Sequence, residues 1–173
     1  MTVWDVRDQE YVDALEQVIR DLRASSWVPQ WFENILQYTG LFNDLYLPFL
    51  LSHPQVMNTP LSQQTFWLPT ADQFEVMRQA WWRYPAADIG RYSLERNRCT
   101  SFAFNFASFC QVFFGINSIG VALDTGTALH AFNIVVLADR LADGLLFFEP
   151  EGSIWVKLAD TGLYQLKRGA IIL

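Results

Sequence analysis

The sequence predicts an α+β domain in which an N-terminal helical lobe precedes a central, cysteine-bearing helix packed on an antiparallel sheet. Three observations carry this. Apolar residues recur at helical spacing through much of residues 1–90; the run Cys99–Phe114 is apolar and aromatic over a helix-sized length; and short Val-, Ile-, Leu- and Phe-rich runs separated by turn sequences follow it. No flexible linker divides the halves, so 1–173 reads as a single domain, 1–90 mainly helical and 91–173 a helix plus a sheet.

In chain order, residues 8–24 place Tyr11, Val12, Leu15, Val18, Ile19 and Leu22 on one helical face and Asp13, Glu16, Arg20 and Asp21 on the other. Pro29 suits a first helical turn, predicting a second helix to about Tyr38 that Gly40 closes. Leu41–Leu51 predicts a short third helix ending near His53-Pro54, which makes His53 a turn residue. The three prolines between Pro54 and Thr70 predict a loop, and Ala71–Tyr84 is again helical, stopped by Pro85. After the Cys99 helix, Ile116–Leu123, Leu129–Ala138, Leu145–Glu149 and Ile154–Leu158 read as strands of an antiparallel meander, with a last one within Tyr164–Leu173.

Half of the residues are apolar and 16% are aromatic, which excludes a disordered chain and predicts a dense core or an apolar groove. The net charge of −6 lies in the first half, where residues 1–90 carry five basic and eleven acidic side chains; such a surface excludes sequence-independent nucleic-acid binding. No signal peptide is visible at the N-terminus, and no apolar run reaches the roughly 20 residues of a membrane span. Cys99 and Cys110 on one helix would stand about 16 Å apart along its axis, too far for a disulfide. Two free thiols and a soluble, cytoplasmic protein are therefore expected.

A cysteine at a helix start, then a histidine and a carboxylate on successive strands, is the order in which papain- and transglutaminase-type thiol hydrolases assemble a site. A thiol attacks only as thiolate, which a helix N-terminus and a neighbouring imidazole both favour. Cys99 follows the basic residues Arg91, Arg96 and Arg98, whereas Cys110 sits deep in the apolar run and reads as core. His130 shares its alternate positions with Phe132, Ile134 and Val136, a face expected to lie under the Cys99 helix. Glu149 ends four apolar strand residues and needs a partner if buried, and His130 would supply one. Asn133 and Glu151 are alternates for that third role, although Asn133 falls on the other face. The bland alternatives are a small core cysteine, a structural histidine and a strand-end glutamate. Gln79 and Asn97 are possible oxyanion donors. No transition-metal ligand set, phosphate-binding glycine loop or dinucleotide motif is present.

The runs Arg98–Phe104, Gly115–Asp124, His130–Leu137 and Phe148–Glu151 resemble the papain-like cysteine peptidase domain of the Marasmius oreades agglutinin type and its lectin-free microbial relatives. The resemblance covers roughly residues 90–160. It implies a papain/transglutaminase-like core, a peptide or protein substrate, and a triad of Cys99, His130 and Glu149. It also brings calcium, held by acidic residues after the cysteine and a Gln two residues past the triad Glu. Thr100, Ser101 and Glu151 stand at those positions here, leaving Glu151 alone as a possible cation ligand. Two other functions use the same framework: a catalytically inactive protein-binding module, and an acyltransferase of transglutaminase type.

Overall fold

The computed structural model describes residues 32, 35–58, 65–83, 98–126, 129–159 and 163–173. Strand β1 (Leu36–Tyr38) leads through a π-helical stretch, Phe42–Tyr46, into α1 (Leu47–Ser52), β2 (Val56–Asn58) and β3 (Phe66–Leu68). Helices α2 (Ala71–Arg83) and α3 (Arg98–Phe114) follow. Then come β4 (Gly120–Asp124), β5 (Ala131–Val135), a 3-10 stretch at Ala138–Asp143, β6 (Leu146–Glu149), β7 (Ile154–Val156) and β8 (Gly169–Ile172). The chain is mixed helix and largely antiparallel sheet, as expected. The helix predicted over 8–24 lies outside the described residues.

Two expectations for the first half are corrected. The end of the helix predicted up to Tyr38 is strand β1, and the predicted loop Pro54–Thr70 holds β2 and β3. β1 pairs antiparallel with β3, Leu36 facing Leu68. Distant side chains stabilise these three-residue strands. Asn117 Oδ1 accepts from the Trp67 N–H at 2.7 Å, and Ser118 Oγ donates to the Trp67 carbonyl at 2.8 Å. A three-residue strand closed by partners fifty residues away leaves no periodic trace in sequence.

The main sheet runs β2-β8-β4-β5-β6-β7. It is therefore not a plain meander. β8 inserts beside β4, and β2 joins β8 in parallel at one edge. Gly169 permits that insertion, because a Cβ there would collide with the Leu123 carbonyl oxygen of the adjoining strand. Gly169→Ala is expected to lower unfolding stability by about 1–3 kcal/mol, since the clash is with backbone that cannot yield; chemical denaturation measures it, and an unchanged midpoint would contradict the packing.

Both faces of the sheet are covered. Helix α3 spaces Phe102, Phe106, Phe109 and Phe114 along one side, where they pack with Phe74, Met77 and Trp81 of α2 and with Val135 and Phe148 of the sheet. Each buried ring contributes roughly 1.5–3 kcal/mol. The helix ends at Gly115, whose φ of 72° lets the Ile116 N–H return to the Cys110 carbonyl at 3.2 Å. At its N-terminal half, small residues allow close approach, with Ala103 against Ala131 and Val121. The opposite face of the sheet carries Ala122, Phe132, Ile134 and Ile171, and is covered by Leu41, Tyr46 and Leu166. Burial pushes the Tyr46 hydroxyl pKa up.

Helix α2 begins in a reciprocal capping box. The Thr70 N–H donates to Gln73 Oε1 at 2.8 Å, and the Gln73 N–H donates to Thr70 Oγ1 at 3.2 Å. Among the described residues, no helix is long and apolar enough to cross a membrane.

Candidate functional site

Strand β5 is preceded by Leu129, an exposed residue with φ 49°, and His130 enters the ladder through its carbonyl, which accepts from the Asp124 N–H at 2.8 Å. The register that pairs Asn133 with Phe148 places Glu149 diagonally across from His130 on one face. The two side chains meet there. His130 Nε2 lies 2.6 Å from Glu149 Oε2, with His130 9% and Glu149 4% exposed. The other carboxylate oxygen, Oε1, accepts from the Glu151 N–H at 3.0 Å. Both oxygens of the acid are thus engaged and its plane is set. With a carboxylate accepting at Nε2, the neutral imidazole carries its proton on Nε2 and presents Nδ1 as a base.

Of the expected third-role residues, Glu149 is the one that reaches the imidazole, while Glu151 contributes its backbone. Asn133 lies on the other face, buried, with Nδ2 donating to the Ala103 carbonyl of α3 at 2.8 Å and the Gly120 carbonyl at 3.1 Å. It ties helix to sheet.

The expectation that His130 faces the Cys99 helix is corrected. The face under α3 carries Ala131, Asn133 and Val135, whereas His130 lies with Phe132 and Tyr164 on the opposite face, the Tyr164 ring edge-on at 5.4 Å. Both faces of β5 are apolar, so alternation groups the residues correctly without saying which group the helix covers. Cys99, in the first turn of α3, is partly buried and packs against the cluster of Ala103, Val121 and Ala131. That cluster lies on the α3 face of the sheet, and no hydrogen bond links the thiol to the imidazole. Its N–H belongs to a first helical turn, where backbone donors lack intrahelical partners.

Cys110 is fully buried, and burial pushes its thiol well above the ordinary range, which suits core packing and not catalysis. Gln79 Nε2 donates to Glu75 Oε1 at 2.8 Å along α2. Asn97, Arg91, Arg96 and the Arg98 side chain lie outside the described residues. Calcium needs several oxygens in one place. Among the described residues no three acidic, histidine or cysteine side chains gather to hold a metal, and both Glu149 oxygens are already engaged.

Sequence reasoning missed the surroundings of the pair. Tyr164 is one case, its hydroxyl pKa raised by burial and by the negative charges of Glu149 and Glu151. Trp81 is another, its indole N–H reaching the Pro150 carbonyl at 3.4 Å from α2. Neither contact has a local signature.

Fold and site together define a class: an α+β domain with a buried histidine–carboxylate pair on its sheet and a helix-opening cysteine packed against that sheet. Neither a family model nor a curated protein matches the chain. Among solved structures, PSL1a in complex with E64 is similar at 23% identity and a TM-score of 0.51, covering 78% of this chain and 51% of that one. A structure of Polyporus squamosus lectin bound to the human-type influenza-binding epitope Neu5Aca2-6Galb1-4GlcNAc gives 21% identity and a TM-score of 0.48, covering 70% and 45%. The chain spans about half the length of these neighbours. The likeness to the PSL1a structure is one of fold.

Proposed function

We propose that this chain is a papain-like cysteine hydrolase that cleaves an amide bond in a peptide or protein. The observation that carries the reading is the buried contact of His130 Nε2 with Glu149 at 2.6 Å, which turns Nδ1 into the free base. In that chemistry, Nδ1 takes the Cys99 proton and the thiolate attacks the scissile carbonyl. The oxyanion is held by the Cys99 N–H at the helix start. Collapse breaks the C–N bond, the imidazolium gives its proton to the departing amine, and a thioester remains. Water, deprotonated by Nδ1, then attacks the thioester, releasing the acid and restoring the thiol. Glu149 stabilises the imidazolium throughout. No hydrogen bond joins the thiol to the imidazole at rest, so the first step requires the two groups to close up.

The similar fold of PSL1a was solved in complex with E64. The test is alkylation of Cys99 by iodoacetamide at pH 6, located by peptide mass mapping. The expected rate exceeds that of free cysteine by about tenfold or more, as for an imidazole-activated thiol, and falls to the free-thiol level in His130→Ala. A slow, His130-independent rate would instead favour the binding-module reading, to which the missing thiol–imidazole hydrogen bond lends weight. Incorporation of an added amine in place of water would identify an acyltransferase.

A further inference from the structure

The turn that follows Glu149 is gripped from one side of one helix. Arg78 and Trp81 stand three residues apart on α2 and so share a face. Trp81 Nε1 reaches the Pro150 carbonyl at 3.4 Å, at the near end of the turn. Arg78 Nη1 donates to Ser153 Oγ at 2.8 Å, at the far end. Between those anchors lies the Glu151 N–H that donates to Glu149 Oε1.

The anchors are themselves fixed. Glu75 clamps Arg78 bidentately, with Nε to Oε2 at 2.7 Å and Nη2 to Oε1 at 2.6 Å, and a guanidinium so forked presents its remaining donors in one direction. Arg78 and Gln79 hold the Glu75 carboxyl down at about 2, so the clamp stays charged at neutral pH. Ser153 has a φ of 53°, a left-handed conformation that a serine adopts at a cost. A strained residue whose hydroxyl meets a pre-oriented cation, two positions from the donor that orients Glu149, is under more constraint than a solvated turn needs.

We infer that Arg78 and Ser153 are a positioning pair for the site, holding the 150–153 turn so that the Glu151 N–H sets the Glu149 carboxylate against His130. The inference rests on the proposed roles of His130 and Glu149 for its catalytic meaning, and on geometry alone for its structural one. Neither residue touches the imidazole; each acts through the turn.

The experiment uses the full chain as Arg78→Ala, Ser153→Ala, their double variant, and Ser153→Asn, which keeps an acceptor oxygen and tolerates positive φ. Three readouts are taken: amide hydrogen exchange at Glu151, the downfield imidazole N–H proton resonance of His130, and Cys99 alkylation at pH 6. Arg78→Ala and Ser153→Ala are each expected to speed Glu151 exchange about tenfold, the loss of one hydrogen bond of ordinary worth, and to broaden or abolish the His130 resonance. The double variant should be no worse than either single, and Ser153→Asn should resemble wild type. Unchanged Glu151 exchange, additive singles, or exchange that rises throughout the protein in step with a fall in Tm would overturn the inference. The arms separate the two claims. If wild-type Cys99 is inert while exchange and resonance respond as stated, the hydrolase reading falls and the positioning role stands. If Cys99 is activated but indifferent to Arg78 and Ser153, the reverse holds.

Discussion

In the hydrolase proposed above, Glu149→Ala is expected to reduce peptide hydrolysis by roughly 10⁴-fold, the scale on which removing the orienting acid of a triad acts. The physical reason is double. The imidazole loses the charge that stabilises its protonated form, and it loses the contact that keeps Nδ1 free, because nothing then fixes the tautomer. A structural cost accompanies this, since His130 is 9% exposed and its Nε2–H would be left without an acceptor, at about 1–3 kcal/mol. Glu149→Gln separates the effects. Its amide oxygen still accepts from Nε2–H while the charge is gone and the Glu151 N–H loses its acceptor, so rates between wild type and alanine are expected. In His130→Ala the Glu149 substitution should add nothing, because the acid acts only through the imidazole. Alkylation of Cys99 at pH 6 in wild type and these four variants gives the answer; a Glu149→Ala protein that alkylates at the wild-type rate would remove the acid from the site.

That such an experiment can be framed from the sequence reflects which signals a sequence carries. Helix α3 is legible because Phe102, Phe106 and Phe109 repeat at helical spacing over 17 residues and Gly115 supplies the left-handed stop. Glu149 is legible because a carboxylate after Leu145–Phe148 has to find a partner, and the histidine on the neighbouring strand is within reach. The face of the sheet is another matter. Period-2 alternation correctly sets His130 with Phe132 and Ile134, yet Ala131 and Val135 on the other side are equally apolar. Only the small volumes of Ala103 and Ala131 hint that the helix packs there. Strands β1 and β3 are too short to show a period, and Asn117 and Ser118 reach back to hold β3, on which β1 pairs. Arg78 is invisible for the same reason: its role depends on Ser153, 75 residues away.

Asn133 shows how completely such long-range contacts decide the outcome. It is wholly buried, and its amide nitrogen donates to two backbone carbonyls, one on α3 and one on β4. Among the described residues its Oδ1 has no partner. Asn133→Asp changes almost no volume and reverses the electrostatics. Two carbonyl oxygens would face a carboxylate with no proton to give, and an unpaired buried charge costs about 3–5 kcal/mol. The acid escapes by staying protonated, as its OH can donate to one of the carbonyls, so its pKa in the folded protein must rise above the unfolded value of about 3.9. The sign follows. A folded-state pKa raised above the unfolded one gives stability that is present below about pH 4 and is lost as pH rises through the folded value. The variant should therefore approach wild-type stability in mild acid and fall behind it toward pH 7, where a penalty of this size lowers Tm by roughly 10 °C for a chain of this length. Thermal unfolding followed at several pH values tests it. A constant gap between the two proteins from pH 4 to 7 would mean that Asn133 acts by shape alone, and that the link from helix to sheet does not run through its donors.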